Sequence, residues 1–377
     1  MAITRRPTLA DVATAAGVSR ASVSNAFNRP ERLSATRRSE IMAIADSLGY
    51  AGPDPAAAGL RRGRTRAIGV IIPERLNYAF SDPAGVLILD GLAEALATAN
   101  SGLLLLAGDG TGGGPTPELV SSAAVDAFVS YCAARDDPVV DVLRRRRLPM
   151  VFIDEAPLPG TFAVDLDEET GSRALAEHLV ALGHRNVGII TLECRPDGGS
   201  GPLSPERRAS ISYSVTKRRL DSVLDVLAAA GIEADNVPVY ESPHNMPAEG
   251  AAAAAWLLAQ TPRPTAIVCQ SDQLAVGALD AARAAGLSVP RDVSVAGFDD
   301  IDAATRCNPA LTTVRQPLRE RGRLAGEMLI QALDGKRPRR VRLSTELVVR
   351  DSTGPAPPTG SPAQAHKEVR PRRNSSR

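Results

Sequence analysis

The sequence predicts an α/β protein: parallel-sheet core units preceded by a small all-α helix-turn-helix domain and joined to it by a hinge. Three observations carry this. Three capped helical segments fill residues 8–49, a Pro/Gly/Arg-rich connector follows over 50–66, and from Arg66 onward short apolar runs alternate with longer amphipathic stretches. Strands alternating with helices indicate βαβ units, hence parallel sheets covered by helices on both faces. The chain of 377 residues has room for roughly two to three domains of about 100–200 residues each.

The amino-terminal segment reads residue by residue. Thr8 followed by Asp11 resembles a capping box that opens a helix. Leu9, Val12, Ala13 and Ala16 recur at helical spacing and give that helix one buried face. Gly17 can adopt the left-handed conformation of a tight turn, Val18 closes the turn from below, and Ser19 is a good N-cap for a second helix. In the second helix Val23, Ala26 and Phe27 face inward, leaving Arg20, Ala21, Ser22, Ser24 and Asn25 exposed. One long cation, small hydroxyls and an amide suit a major groove, where hydroxyls meet phosphates and Arg or Asn meets purine edges. Ser34 caps a third helix, Ala35–Leu48, ended by Gly49, with Ile41, Ile44, Ala45 and Leu48 directed to the core.

Beyond the connector, the strand candidates are Ala67–Ile72, Leu103–Ala107, Ala127–Tyr131, Met150–Ile153, Val187–Leu192, Ala266–Cys269 and Val293–Phe298. The helix candidates between them are Val86–Ala99, Thr170–Leu182, Arg219–Ala230, Ala248–Ala259 and Gln273–Ala285. Residues 194–216 read as a polar, Gly/Pro-rich mobile loop, and the tail over 352–377 as disordered. In parallel α/β sheets ligands bind beyond the carboxyl ends of strands. That rule selects 73–80, Asp154-Glu155, Asp165-Leu166, Gln270-Ser271-Asp272 and Asp299-Asp300.

Charge is unevenly placed although the total is +1. Residues 1–66 hold eleven Arg against five Asp/Glu, a net of +6, and residues 352–377 carry +4, leaving −9 between. A basic arm on an acidic body points to a polyanion partner for the arm. Cys132, Cys194, Cys269 and Cys307 lie far apart without a CxxC pair, which argues against metal clusters and disulfide frameworks and fits a reducing cytosol. The amino end lacks an apolar signal-peptide core and the longest apolar runs fall short of a bilayer span, so a cytoplasmic protein without membrane contact is expected.

An enzyme would need a nucleophile, an acid/base pair or a metal cluster, and none is legible. The four histidines (178, 184, 244 and 366) lie apart, and 110–114 is glycine-rich without the lysine and Ser/Thr of a phosphate loop. No enzyme activity, cofactor or metal is therefore expected. A transport-type solute-binding protein would account for the α/β body but not for the first 66 residues. Asp272 and Glu177-His178 read as structural members of helix starts and lobe packing.

The string Thr8–Asn28, then Leu48-Gly49-Tyr50, Leu60-Arg61-Arg62-Gly63-Arg64-Thr65, Glu177-His178-Leu179, Leu182-Gly183-His184, Ser271-Asp272-Gln273, Val295–Asp300 and Leu311–Val314 resembles the LacI/GalR family of bacterial transcription regulators. The resemblance spans about residues 8–350. It implies a dimeric, sequence-specific DNA-binding repressor switched by a small-molecule effector, with an activator or a corepressor-requiring repressor as rivals built from the same parts. It implies a DNA-binding domain at 1–50, a hinge at 51–66, and a periplasmic-binding-protein-like core at 67–351. That core would have one lobe at about 67–166 and 317–345 and another at about 167–316.

By the same resemblance Arg20, Ala21 and Asn25 sit where the family reads bases. Thr8, Ser19, Ser22, Ser24 and Asn28 sit where it touches phosphates. Ala57 and Leu60 match hinge residues that enter the minor groove, with Leu60 as the wedge. For the effector, Asp299 and Arg219 match a pair expected to span the cleft from opposite lobes, and Asp154 and Ser271 are further candidates. The family commonly places Gly and an aromatic after that arginine, whereas this chain has Ser222 and Val223, so Tyr78, Phe80 and Phe298 are the stacking candidates. The partners implied are palindromic operator DNA, a second copy of the chain and the effector.

Overall fold

The computed structural model describes residues 7–52, 64–108, 114–131, 137–154 and 160–358. The chain divides into two compact units, one made of residues up to Arg66 with Ala124–Asp126, the other holding the rest.

In the first unit, α1 (Leu9–Ala15), α2 (Arg20–Asn28) and α3 (Ala35–Ser47) enclose Val12, Val23, Ala26, Ile41, Ala45 and Tyr50. Each helix starts on the hydroxyl that the sequence offers. Thr8, Ser19 and Ser34 accept hydrogen bonds from the backbone N–H groups of Asp11, Ser22 and Arg37. Gly17 makes the turn at φ +59°. One inward residue is corrected: Leu48 is 40% exposed, and Tyr50 takes the core place. Gly49, at φ +69°, folds the chain back so that the Tyr50 N–H reaches the Ala45 carbonyl at 2.8 Å. The Tyr50 ring then meets Phe27 edge-on at 5.5 Å.

The second unit contains two larger sheets. Strands β1 (Ala67–Arg75), β2 (Gly102–Gly108), β3 (Ala127–Tyr131), β4 (Met150–Ile153), β5 (Phe162–Leu166) and β12 (Arg340–Leu343) form an all-parallel sheet in the order β12-β5-β4-β3-β1-β2. Helices α4 (Pro83–Ala97), α5 (Pro117–Ser122), α6 (Pro138–Arg146) and α13 (Leu318–Leu333) accompany it and complete a first lobe. Strands β6 (Val187–Thr191), β7 (Gly201–Pro202), β8 (Val239–Glu241), β9 (Ala266–Cys269) and β10 (Ser294–Ala296) form the second sheet, in the order β10-β9-β6-β8-β7, with β7 antiparallel at its edge. Its helices are α7 (Glu168–Ala181), α8 (Pro205–Ala209), α9 (Ser214–Ala229), α10 (Pro247–Leu258), α11 (Asp272–Ala284) and α12 (Asp302–Arg306). A short antiparallel pair, β11 (Thr313–Arg315) with β13 (Glu346–Val348), flanks the passages between the lobes. The chain makes three such passages: after β5, between β11 and α13, and after β12.

The strongest helix contact in the first lobe is α4 against α13, made possible by Gly91 and Gly322. A Cβ on either would run into the carbonyl oxygen of Arg319 or Ile88 across the crossing. Helix α13 escapes a periodicity reading because Arg319, Arg321 and Arg323 interrupt its apolar stripe of Leu318, Ala325, Met328 and Leu329. Strands β5 and β8 were likewise not legible as apolar runs.

Two further expectations are overturned. Residues 194–216 are not a structureless loop but carry β7, α8 and the start of α9. Arg207 holds the segment in place, donating to Glu241 at 2.8 Å and to Asp197 at 2.6 Å. The start of the tail is packed as well: Ser352 is buried and its hydroxyl donates to the Val295 carbonyl at 2.6 Å, while the Ala356 N–H reaches the Leu182 carbonyl at 2.8 Å. Polar residues are ordered here because each finds a backbone partner in the second lobe, which composition alone does not reveal.

Candidate functional site

Two sites emerge, one in each unit. In the first, α2 turns its exposed side outward as a polar surface. Thr8 shares a shallow surface depression with Arg20, Ala21, Ser24 and Asn25, so the cap of α1 and the outer face of α2 are neighbours. Ser19 and Ser22 lie with their hydroxyl oxygens 3.0 Å apart at the start of α2. Asn28 is exposed at the other end of α2 and donates back to the Ser24 carbonyl at 3.0 Å. The five phosphate candidates and three base candidates thus lie on α2 or immediately beside its start. Ala57 and Leu60 fall outside the described residues.

The second site is a cavity of about 130 Å³ between the lobes of the core. The first lobe contributes Glu74, Tyr78, Asp82, Tyr131 and Asp154. The second contributes Glu193, Tyr213, Thr216, His244 and Asn245. Half of these lie at or just past a strand end: Glu74 and Tyr131 at the ends of β1 and β3, Asp154 after β4, Glu193 after β6 and Asn245 after β8. Contacts already join the lobes across it. Tyr78 donates to the Asn245 carbonyl at 3.2 Å, and Ser214 donates to the Asp154 carbonyl at 2.9 Å. Burial, reinforced by Asp82, pushes the Glu74 carboxyl up to about 7. Burial also pushes Glu193 up to about 7 and Asp82 to about 6.

The Arg/Asp pair requires correction. Arg219, on α9, and Asp299, just past β10, both belong to the second lobe, so they do not span the cleft, and neither lines the cavity. Arg219 is consumed internally. It donates to Glu168 at 2.6 Å and to the Gln270 carbonyl at 2.5 Å, and it stacks 3.6 Å above the Phe298 ring. Its Nη1 is 3.8 Å from Asp299 Oδ1, the same oxygen to which Gln316 donates at 2.5 Å. Gln316 in turn accepts from Arg321 of α13, and Arg321 pairs with Asp154 of the first lobe. A buried chain therefore runs Glu168–Arg219–Asp299–Gln316–Arg321–Asp154 from one lobe to the other.

Burial raises the Asp299 carboxyl well above its usual range, against the pull of Arg219. Asp154 and Asp299, with φ of +63° and +129°, hold left-handed backbone conformations that non-glycine residues rarely adopt. Such conformations cluster at functional positions.

Two other candidates are also relocated. Phe80 is 69% exposed, because the turn over Tyr78–Phe80 directs Tyr78 into the cavity and Phe80 away from it. Ser271 caps α11, accepting from the Leu274 N–H at 3.1 Å, and donates to Asn245 Oδ1 at 2.5 Å, so it positions a cavity residue rather than lining the cavity. Asp272 accepts from the Ile301 N–H and the Thr313 hydroxyl, and His178 contacts Thr353 at 2.9 Å, both in packing positions.

Glu74 lay inside a selected strand-end segment, and Glu193 would have followed from applying the same rule to the Val187–Leu192 run. Asn245 and His244 follow β8, a strand too short and polar to be read. Arg321 gave no signal.

Comparison with known proteins places both units. Residues 8–52 match the model of bacterial regulatory proteins of the lacI family, and residues 176–353 match the periplasmic binding protein-like domain. An HTH-type transcriptional regulator of Mycolicibacterium smegmatis is 41% identical, over 93% of this chain and 97% of that protein. Among solved structures, the transcriptional regulator CelR in complex with cellobiose is 28% identical with a TM-score of 0.64, covering 92% of this chain and all of that one. The lac repressor dimer bound to operator and the anti-inducer ONPF is 25% identical with a TM-score of 0.71, covering 93% and 100%.

Proposed function

The chain belongs to the LacI family of bacterial regulatory proteins and is a DNA-binding transcriptional regulator under effector control, and from that premise we propose that it is a cytoplasmic homodimeric repressor of a palindromic operator. The observation that carries the proposal is the outer face of α2. It presents Arg20, Ala21 and Asn25 together on a helix that is rigidly capped at Ser19 and buried on its other side. Arg20 and Asn25 read base edges, with Ala21 in van der Waals contact, while Thr8, Ser19, Ser22, Ser24 and Asn28 position the helix on phosphates. Ala57 and Leu60 of the hinge engage the minor groove, where Leu60 wedges a base step.

The domain division is that of a reading head at 1–50, a hinge at 51–66 and a two-lobed core. The effector occupies the inter-lobe cavity and biases one lobe arrangement over another. A ligand can do this only through different affinities for the two arrangements. The protein acts by binding and not by catalysis, and needs no cofactor.

Selection of randomised duplex DNA by the full-length protein at near-physiological salt tests the proposal. It should enrich a palindrome of two short half-sites about one helical turn apart. Enrichment of a single unrepeated half-site would reject the dimer, and no enrichment with or without cell metabolites would reject the reading head.

A further inference from the structure

We infer that the inter-lobe cavity is built for a small hydroxylated organic cation, a polyol amine, in preference to a neutral or anionic polyol. The inference rests on the proposed use of this cavity as the effector site and adds the sign of the ligand's charge. The first ground is which charges remain available there. Glu74 from the first lobe and Glu193 from the second line the cavity, beside Asp82, whose carboxylate caps α4 by accepting from the Ala84 and Gly85 N–H groups. The two buried arginines nearby are already committed, Arg219 to Glu168 and Asp299, and Arg321 to Asp154. Neither lines the cavity.

Among the described lining residues, His244 is the one basic side chain, 3.7 Å from Glu74. Arg75 follows Glu74 in sequence, but it is exposed and outside the lining. A phosphate or carboxylate ligand would therefore meet partly desolvated carboxyl groups and no lysine or arginine.

The second ground is independent of charge. Tyr78, Tyr131 and Tyr213, three of the five tyrosines in the chain, line this one cavity. Aromatic faces attract a cation through the ring quadrupole, and desolvation strengthens that attraction. The carboxyls, Asn245 and Thr216 then supply partners for ligand hydroxyls.

The carboxyls also predict the binding linkage. Glu74 faces Asp82, Arg75 and His244, and Glu193 faces Gly198, Glu74, Asp197 and Glu241. Burial and like charge keep both partly protonated near neutrality. An ammonium seated among them favours the ionised forms, so binding releases protons and tightens as pH rises.

The test is isothermal titration of the full-length protein with three matched open-chain polyols: N-methylglucamine, sorbitol and gluconate. Titrations at about pH 6 and about pH 8, in buffers of different ionisation enthalpy, read the proton balance. N-methylglucamine should bind about tenfold or more tighter than sorbitol, should release protons, and should bind more tightly at the higher pH, while gluconate should not bind. Glu74→Gln and Glu193→Gln should each weaken the amine by about tenfold and sorbitol by much less, since a glutamine still hydrogen-bonds a hydroxyl but does not attract an ammonium.

Equal affinity for sorbitol, or no binding of the amine, overturns the inference. If sorbitol alone binds and changes operator affinity, the charge assignment falls and the effector site stands. If the amine binds but neither glutamine variant alters its affinity, the site itself is misplaced.

Discussion

The pair between Arg321 and Asp154 joins α13 to the end of β4 at the floor of the cleft, and removing one partner should show how strongly it holds the core together. Both side chains are almost fully buried, at 1% and 2% exposure. Arg321→Met leaves Asp154 as an uncompensated buried carboxylate, a loss of about 3–5 kcal/mol, with about 1 kcal/mol more for the hydrogen bond to Gln316. Near 60 °C the unfolding entropy of about 290 residues is about 0.6 kcal/mol/K, so the combined loss of about 4–6 kcal/mol lowers Tm by about 7–10 °C.

Asp154→Asn keeps the side-chain shape and tolerates the φ of +63°, but leaves the Arg321 guanidinium uncompensated. Combining the two substitutions removes both buried charges, so the double variant should recover part of the loss and give a coupling energy of about 2 kcal/mol or more. Urea unfolding followed by far-UV circular dichroism and by fluorescence of Trp256, the one tryptophan, supplies the four stabilities of the cycle. Additivity within about 0.5 kcal/mol would refute the pairing and, with it, the continuous buried chain from lobe to lobe.

Three further outcomes are expected. Asn25→Ala should flatten base preference at one position of each half-site by about 1–3 kcal/mol, and an unchanged selected sequence would remove Asn25 from base reading. Thr8→Ala deletes the capping box of α1 and should destabilise the amino-terminal unit by about 1 kcal/mol, seen as an earlier melting of its helical signal. His184 contacts Thr265 at 2.9 Å and Ser294 at 3.1 Å, and burial lowers its pKa from the ordinary 6.5. Because the unfolded chain then binds more protons, His184 contributes stability above about pH 6.5 that is lost as pH falls below it. The raised cavity carboxyls act in the opposite sense, so the readout is the wild-type stability minus that of His184→Asn. That difference should shrink on acidification, and a constant difference would contradict the assignment.

The reading head was legible almost completely because its determinants are local. A cap, a turn glycine and an apolar face act within one or two helical turns, so Thr8, Gly17, Ser19 and Val23 specify the motif with little help from elsewhere. Leu48 was misplaced for a reason that is nearly local: the turn at Gly49 brings Tyr50 back over the same core. The parallel α/β class followed from the alternation of runs, and the cleft's general location from the strand-end rule.

The occupants of that cleft were decided by contacts that sequence order does not contain. Arg219 could have pointed to a ligand, but folding offered it Glu168, 51 residues away, together with the face of Phe298. Asp154 met Arg321 only because α13 returns to the first lobe after the chain has built the second. When several opposite charges compete, burial and the geometry of helix crossing select the partner, since a desolvated charge must be matched where it lies. Local chemistry therefore determined which side chains α2 presents on its outer face, while the packing of distant segments determined which side chains line the cavity between the lobes.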